Sequence, residues 1–409
     1  MLSVDEARRR ILEDLRPLPA EIVSILDAWG RVAAAPLLAR LNNPPNDISA
    51  MDGYAVRSAD TVPGSFLSLT GEAPAGHPFA GTVGPGECVR LFTGSVMPDG
   101  ADCVLIQENA ERREQQVEVR EAVTPARHIR RQGQDFLVGD VLVPAGRRLG
   151  ARDVGVAAAG NHAWATVHRR PRIALLATGD ELALPGEPIP PGGVTNSNTP
   201  MLAALVRAAG GDPVLLPLVR DDADAIARAT DGLAGMDMLV TIGGASVGDY
   251  DLVQTALATR GLQVDFWKIA MRPGKPLMHG HIGAGDTRIP VLGLPGNPVS
   301  ALVCSLLFLI PALQALSGET VFDPAGGLER EHASLATPLE ANDQRADHLR
   351  ASLTRAANGA FVVTPFSRQD SGMLRRLADC EALILRAPHA PAAAAGTDVE
   401  ILRLDRLGI

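Results

Sequence analysis

Five carboxylates raise the first question of chemistry. Asp180, Glu181, Asp221, Asp249 and Asp251 each fall just beyond an apolar run that reads as a β-strand. Carboxylates arriving from different strand ends can converge on one hard cation, as magnesium bound to phosphate requires. Each can equally cap the helix that follows it, and at the level of single residues both readings stand. The run Thr241-Ile242-Gly243-Gly244-Ala245-Ser246-Val247-Gly248-Asp249 adds glycines after a strand, where backbone amides at a helix start can approach a phosphate. It is neither a Walker A loop nor a dinucleotide fingerprint. A second tight turn, Leu294-Pro295-Gly296-Asn297-Pro298-Val299-Ser300, leads into an apolar helix, and Pro298 suits a first helical turn.

The cations are distributed unevenly. All but two of the 38 basic side chains are arginine, and both lysines, Lys268 and Lys275, lie in the segment Lys268-Ile269-Ala270-Met271-Arg272-Pro273-Gly274-Lys275-Pro276. Read as a strand, it puts Lys268, Ala270 and Arg272 on one face. Lys268, Arg272 and Lys275 then offer charge to a phosphate or an oxyanion. Chance clustering of two lysines is the plain alternative.

The elements that must hold these residues follow from periodicity. A helix is expected over residues 4–15, opened by the capping pattern Ser3-Val4-Asp5-Glu6, and a second helical stretch over about 20–28. Asn42 to Asp47 is a loop. Short strands between Gly and Pro punctuation make 60–146 β-rich, and 150–168 turns helical and then extended. From Pro171, strands at 172–177, 214–219, 238–242 and 291–294 alternate with helices. That alternation predicts a doubly wound parallel sheet, whose ligands bind beyond the carboxyl ends of the strands. The polar and glycine-rich motifs fall at those ends. Ala301 to Ile310, closed by Pro311, reads as a core helix, too short to span a bilayer. After 320 the pattern returns to short strands and predicts a small β domain.

Bulk properties set limits. With 409 residues the chain exceeds one ordinary core. A net charge of −9 opposes long-range attraction to nucleic acid or an anionic membrane. Cys88, Cys103, Cys304 and Cys380 form no C-x-x-C pair and adjoin no histidine cluster, so reduced, buried thiols are expected. The first residues lack the apolar run of a signal peptide, and the expected location is the cytoplasm.

Together these segments resemble the molybdopterin molybdenumtransferase family, which includes bacterial MoeA and the E domain of gephyrin. The motifs that carry the resemblance are Ser49-Ala50-Met51-Asp52-Gly53-Tyr54-Ala55, Thr93-Gly94 through Pro98 to Gly100-Ala101-Asp102, and Arg131 to Asp135. They continue with Thr178-Gly179-Asp180-Glu181-Leu182, the loop from Gly243 to Asp251, Pro273-Gly274-Lys275-Pro276, and Pro295-Gly296-Asn297-Pro298. Seven motifs in family order cover nearly the whole chain.

The resemblance implies a multidomain α/β plus β protein. Its parts are a doubly wound molybdopterin-binding domain (1–14 plus 170–319), a linking domain (15–41 plus 134–169), an inserted β-rich domain (42–133) and a C-terminal β-barrel-like domain (320–409). It implies a homodimer whose cleft lies between the α/β domain of one subunit and the β-rich domain of the other. Asp52, Thr93 and Asp135 would come from the β-rich domain, and Glu181, Asp221, Asp251, Lys268 and Lys275 from the α/β domain, as catalytic groups. Thr178, Gly179, Gly243, Gly244, Ser246, Gly248, Arg272, Pro295, Gly296, Asn297 and Pro298 would bind substrate, with Arg350 and Ser371 reaching in from the C-terminal domain. Magnesium would be held among Asp180, Glu181, Asp221, Asp249 and Asp251. The implied reaction takes adenylylated molybdopterin and molybdate to molybdenum cofactor and AMP, with a molybdopterin adenylyltransferase and molybdoenzyme chaperones as partners. Arg272 departs from the family, which usually shows Lys there. Rival readings are a molybdopterin adenylyltransferase, a non-catalytic scaffold of the same fold, and tungstate in place of molybdate.

Overall fold

The computed structural model describes residues 1–243, 252–283, 288–320 and 329–404. The central sheet has six strands: β1 (Arg172–Ala177), β2 (Asp212–Leu215), β3 (Met238–Ile242), β4 (Gln263–Trp267), β5 (Met278–Ile282) and β6 (Ile289–Leu294). Their order is β2-β1-β3-β6-β5-β4. The first four are parallel, and β1 and β3 are buried almost throughout, as strands covered on both faces must be. One expectation needs correction. Periodicity gives parallel strands only, whereas β5 runs antiparallel to both β4 and β6. A short connection joins β5 to β6, and a short connection can join only antiparallel neighbours. The second strand also ends earlier than 214–219. Pro217 has no N–H to give the ladder, and Val219 returns only as a single bridge to Thr178.

Helices cover both faces of this sheet, and the largest is Pro298–Leu316. Pro311 does not close it. The chain takes a π turn over Ser305–Leu309, and Pro311 enters the first turn of the segment that follows. The wider turn frees Pro311 from the carbonyl it would otherwise strike. Among the described residues this is the one helix long and apolar enough to cross a membrane, and nearly all of it is buried inside the protein. The helix Val4–Glu13 packs against it through Ala7 and Ile11, with Leu15 just past its end joining the same core. Ser3 Oγ accepts from the Glu6 amide at 3.2 Å and fixes where that helix starts. All four cysteines are buried and free.

The predicted helix at 20–28 is instead the strand Ala20–Ser24, paired antiparallel with Trp164–His168, and one 3₁₀ turn, Ile25–Asp27. The adjacent β-branched pair Ile22-Val23 favours the extended form. This strand pair and the helix Ala151–Ala159 enclose a small core of Ile25, Leu37, Val143 and Val167. The next body is a six-stranded sheet with Gly53–Val56 inside it, flanked by Glu87–Leu91 and Cys103–Ile106. Gly53 has to be glycine, because a Cβ there would stand 2.2 Å from the Leu105 carbonyl oxygen. That close approach sets Asp52 at the strand's mouth.

In the C-terminal body Ala346–Arg355, Phe361–Pro365, Arg330–Leu335, Asp398–Arg403 and Ala382–Arg386 pair in turn. The last pairs again with the first, closing a barrel. Leu377, Leu383 and Leu402 of this region share one apolar core with Leu306 and Leu309 of the long helix.

Candidate active site

β1, β3 and β6 end together, and their ends floor a cleft of about 800 Å³. Thr178, Gly179, Gly243, Pro295, Gly296, Asn297 and Pro298 all line it, along with Glu181 and Asp221. The sequence motifs are therefore brought together beyond the carboxyl ends of the strands, where crossover helices leave room for a ligand. Glycine is required here by geometry. Gly243 has φ +91°, and a Cβ on it would meet the Thr178 carbonyl oxygen at 2.9 Å. Pro298 starts the long helix, whose first amides face the turn. Gly244, Ser246, Gly248, Asp249 and Asp251 lie outside the described residues.

The acidic rim is tight. The Asp221 amide donates to Asp180 Oδ1 at 3.3 Å, and Glu181 folds back so far that a Cβ on Gly179 would lie 2.6 Å from its Oε2. The Asp221 carboxyl is raised above the usual carboxylate range, first by burial and then by the charges of Glu181 and Asp180. Among the described residues no three His, Cys, Asp or Glu side chains make a metal cage. Magnesium does not need one, since it binds one or two carboxylates plus substrate phosphates and water.

The cationic segment does not form the expected face. Gln263–Trp267 ends the strand before Lys268, whose Nζ lies 4.7 Å from the Trp267 ring centroid. The chain then leaves the sheet. Ala270 donates to the Leu2 carbonyl, and Met271–Arg272 pairs with Ala346–Asp347 of the barrel. Arg272 is engaged by Asp347 and lies 3.4 Å from Asp343 Oδ2. It ties two domains together and does not line the cleft. Lys275 follows in the return turn, where its carbonyl accepts from the Ile269 amide, and its neighbour Pro276 does line the cleft.

The barrel supplies one wall, through Gly372 and Leu374. Arg350 stands behind that wall. It is 1% exposed, and its guanidinium donates to the carbonyls of Asp370 at 2.8 Å and Met373 at 3.4 Å. The Ser371 carbonyl accepts from the Val299 amide, joining this loop to the helix start. Asp52, Thr93 and Asp135 do not line their own chain's cleft. Asp52 accepts from the Thr93 amide at 2.7 Å and from its hydroxyl at 2.9 Å, and those donors hold its carboxyl below the usual range. Asp135 accepts from Asn43 Nδ2 at 3.0 Å, beside a small separate cavity.

Sequence reasoning passed over Thr195-Asn196-Ser197-Asn198, which line the cleft at the start of the helix Asn198–Ala208. The signal was available. A run of Thr, Asn and Ser ahead of a helical pattern marks a helix start, and the helix begins there, at Asn198.

Residues 2–160 match the model of the MoeA N-terminal region (domain I and II), 174–315 the "Probable molybdopterin binding domain", and 332–404 the MoeA C-terminal region (domain IV). A molybdopterin molybdenumtransferase of Nostoc sp. is 34% identical over 94% of this chain and 88% of its own. Molybdopterin molybdenumtransferase 2 of Mycobacterium tuberculosis is 34% identical over 98% and 99%. The crystal structure of a molybdopterin biosynthesis MoeA protein from Pyrococcus horikoshii superposes with a TM-score of 0.81 at 25% identity, covering 98% of this chain and 99% of that one.

Proposed function

The chain belongs to the molybdopterin molybdenumtransferase family, a transferase family of molybdenum cofactor biosynthesis, and we propose that its cleft takes adenylylated molybdopterin and molybdate and releases AMP. The observation that carries this reading is the glycine floor of the cleft set against its acidic rim: Gly179, Gly243 and Gly296 beside Glu181 and Asp221. Backbone amides and the helix start at Pro298 suit a phosphate. The carboxylates that repel one another suit a divalent cation shared with that phosphate.

Asp221, with Asp180 or Glu181, would hold Mg2+. When bound, the ion draws charge from the phosphate oxygens and makes AMP the better leaving group. Thr178 and the Pro295–Pro298 turn orient the substrate, and the barrel loop at Gly372 limits water on one side. Molybdate, a substrate, would be met by cations near Pro276, of which Lys275 is the nearest in the chain.

The second subunit is part of the proposal. Ile22, Leu26, Trp29 and Trp164 are 71%, 85%, 68% and 60% exposed on the linking domain, an apolar face that suits a second copy of this chain. A dimer would also let Asp52, Thr93 and Asp135 serve the partner's cleft. The proposed setting is the cytoplasm, with an adenylyltransferase supplying the substrate and a molybdoenzyme chaperone receiving the product. The test is AMP release from adenylylated molybdopterin with magnesium. Release that depends on molybdate, with a product that reactivates an apo-molybdoenzyme, is expected. Release indifferent to molybdate would overturn the reading.

A further inference from the structure

We infer that Asn198 is a recognition residue: its side-chain carbonyl oxygen accepts an N–H or O–H of the molecule seated in the cleft. The inference rests on the substrate class proposed above. The Asn198 amide has a defined orientation. Its Nδ2 lies 2.6 Å from the Gly296 carbonyl oxygen, and a carbonyl only accepts, so the nitrogen must be on that side. Oδ1 is left facing elsewhere, and it has no protein partner. Asn198 is 8% exposed and lines the cleft. A buried amide with one half bonded and the other empty departs from the usual rule that buried polar groups are paired.

A second atom in the same place has the same property. Thr178 is 3% exposed, lines the cleft, and its Oγ1 has no partner. Both residues border the glycine floor. A Cβ on Gly243 would sit 3.8 Å from Thr178 Oγ1, and one on Gly296 would sit 3.6 Å from the Gly243 Cα. A side chain at Gly243 would crowd Thr178 Oγ1, and glycine leaves that space to a ligand. Asn198 thus has two tasks on two atoms. Nδ2 pins the turn that shapes the cleft, and Oδ1 reads what enters it. A neutral amide oxygen accepts an N–H or O–H, which either the pterin ring or the nucleotide ribose of the substrate can supply.

The experiment is a cycle between protein and ligand variants, read as dissociation constants of the full-length protein. The probes are 6-hydroxymethylpterin phosphate and its N3-methyl form, and AMP and its 2′-O-methyl form. The proteins are wild type, Asn198→Ala, and Asn198→Asp, which keeps an acceptor but loses the donor to Gly296. In one ligand pair, methylation should weaken wild-type and Asn198→Asp binding by roughly 10-fold, the worth of one hydrogen bond left unmade, and leave Asn198→Ala indifferent. The pair that shows this identifies the pterin or the ribose as the donor. Equal losses for methylated and unmethylated ligands in both variants would make Asn198 a clamp on Gly296 alone and overturn the inference, with the substrate reading intact. Failure of wild type to bind either unmethylated probe would remove the substrate reading and this inference with it.

Discussion

Asp221 is a carboxylate whose environment works against its charge. Burial and the neighbouring Glu181 and Asp180 raise its folded pKa above the unfolded value. The sign is fixed by linkage: the ligand-free fold has the contribution of this group in full below the unfolded pKa and loses it as pH rises through the folded pKa. Asp221→Asn should therefore raise the melting temperature of the ligand-free protein at neutral pH while abolishing turnover. It should also flatten the fall in stability between acid and neutral pH. Thermal unfolding in a chelator across that range measures both, and a variant that melts lower than wild type at neutral pH would contradict it. Asp52 runs the other way. The Thr93 donors lower its pKa, so its contribution is present above the ordinary carboxylate range and lost as pH falls through the folded value. Thr93→Val removes the hydroxyl donor and should bring the Asp52 titration, followed by NMR, back toward the ordinary range.

At the level of elements, the long helix decides how the cleft is held. Its first turn floors the site and its middle lies in the core shared with the barrel. Phe308 is wholly buried on the π turn. Phe308→Ala should cost about 3–5 kcal/mol, as large core truncations do, and urea unfolding measures it. The strands that floor the site were readable because β1 and β3 are mostly apolar runs with a glycine one or two residues past their ends. The antiparallel strand β5 was not, since Met278-His279-Gly280-His281-Ile282 alternates but carries only two large apolar side chains around a glycine. The cationic segment was misread for a related reason. Period-two spacing tells which residues share a face of a strand but not which sheet the strand joins, and Met271–Arg272 joins the barrel. The helix start at Asn198 was legible, but its bond to Gly296, far along the chain, was not, since no local pattern shows it.

For the whole molecule, the proposed dimer turns on which body holds which residues. The α/β domain and the barrel build the cleft, while the groups at Asp52, Thr93 and Asp135 stand in a different body of the same chain. In the proposed dimer a second copy unites them, attached through the apolar face of the linking domain. Leu26→Asp with Trp29→Asp should leave a folded monomer by circular dichroism, shift the sedimentation coefficient from dimer to monomer, and remove AMP release. A variant pair that stays dimeric, or a monomer with full turnover, would refute this arrangement.

The helix Val4–Glu13 belongs structurally to the α/β domain, since Ala7 and Ile11 share a core with Leu313 and Leu316, and Leu2 bridges Ile269. That gives the chain an order of assembly. On the ribosome this helix is made well before the surface that receives it, which is completed only after some 300 further residues, roughly 15–60 s later at ordinary elongation rates. Meanwhile its apolar stripe has nothing to cover it. The linking and β-rich bodies, whose strands pair within the stretch already made, can form in that interval. Their closure shortens the effective loop between the helix and its partner, which lowers the entropy lost when the two finally meet. The inserted domains can thus serve, during synthesis, as a brace between this helix and the strands that receive it.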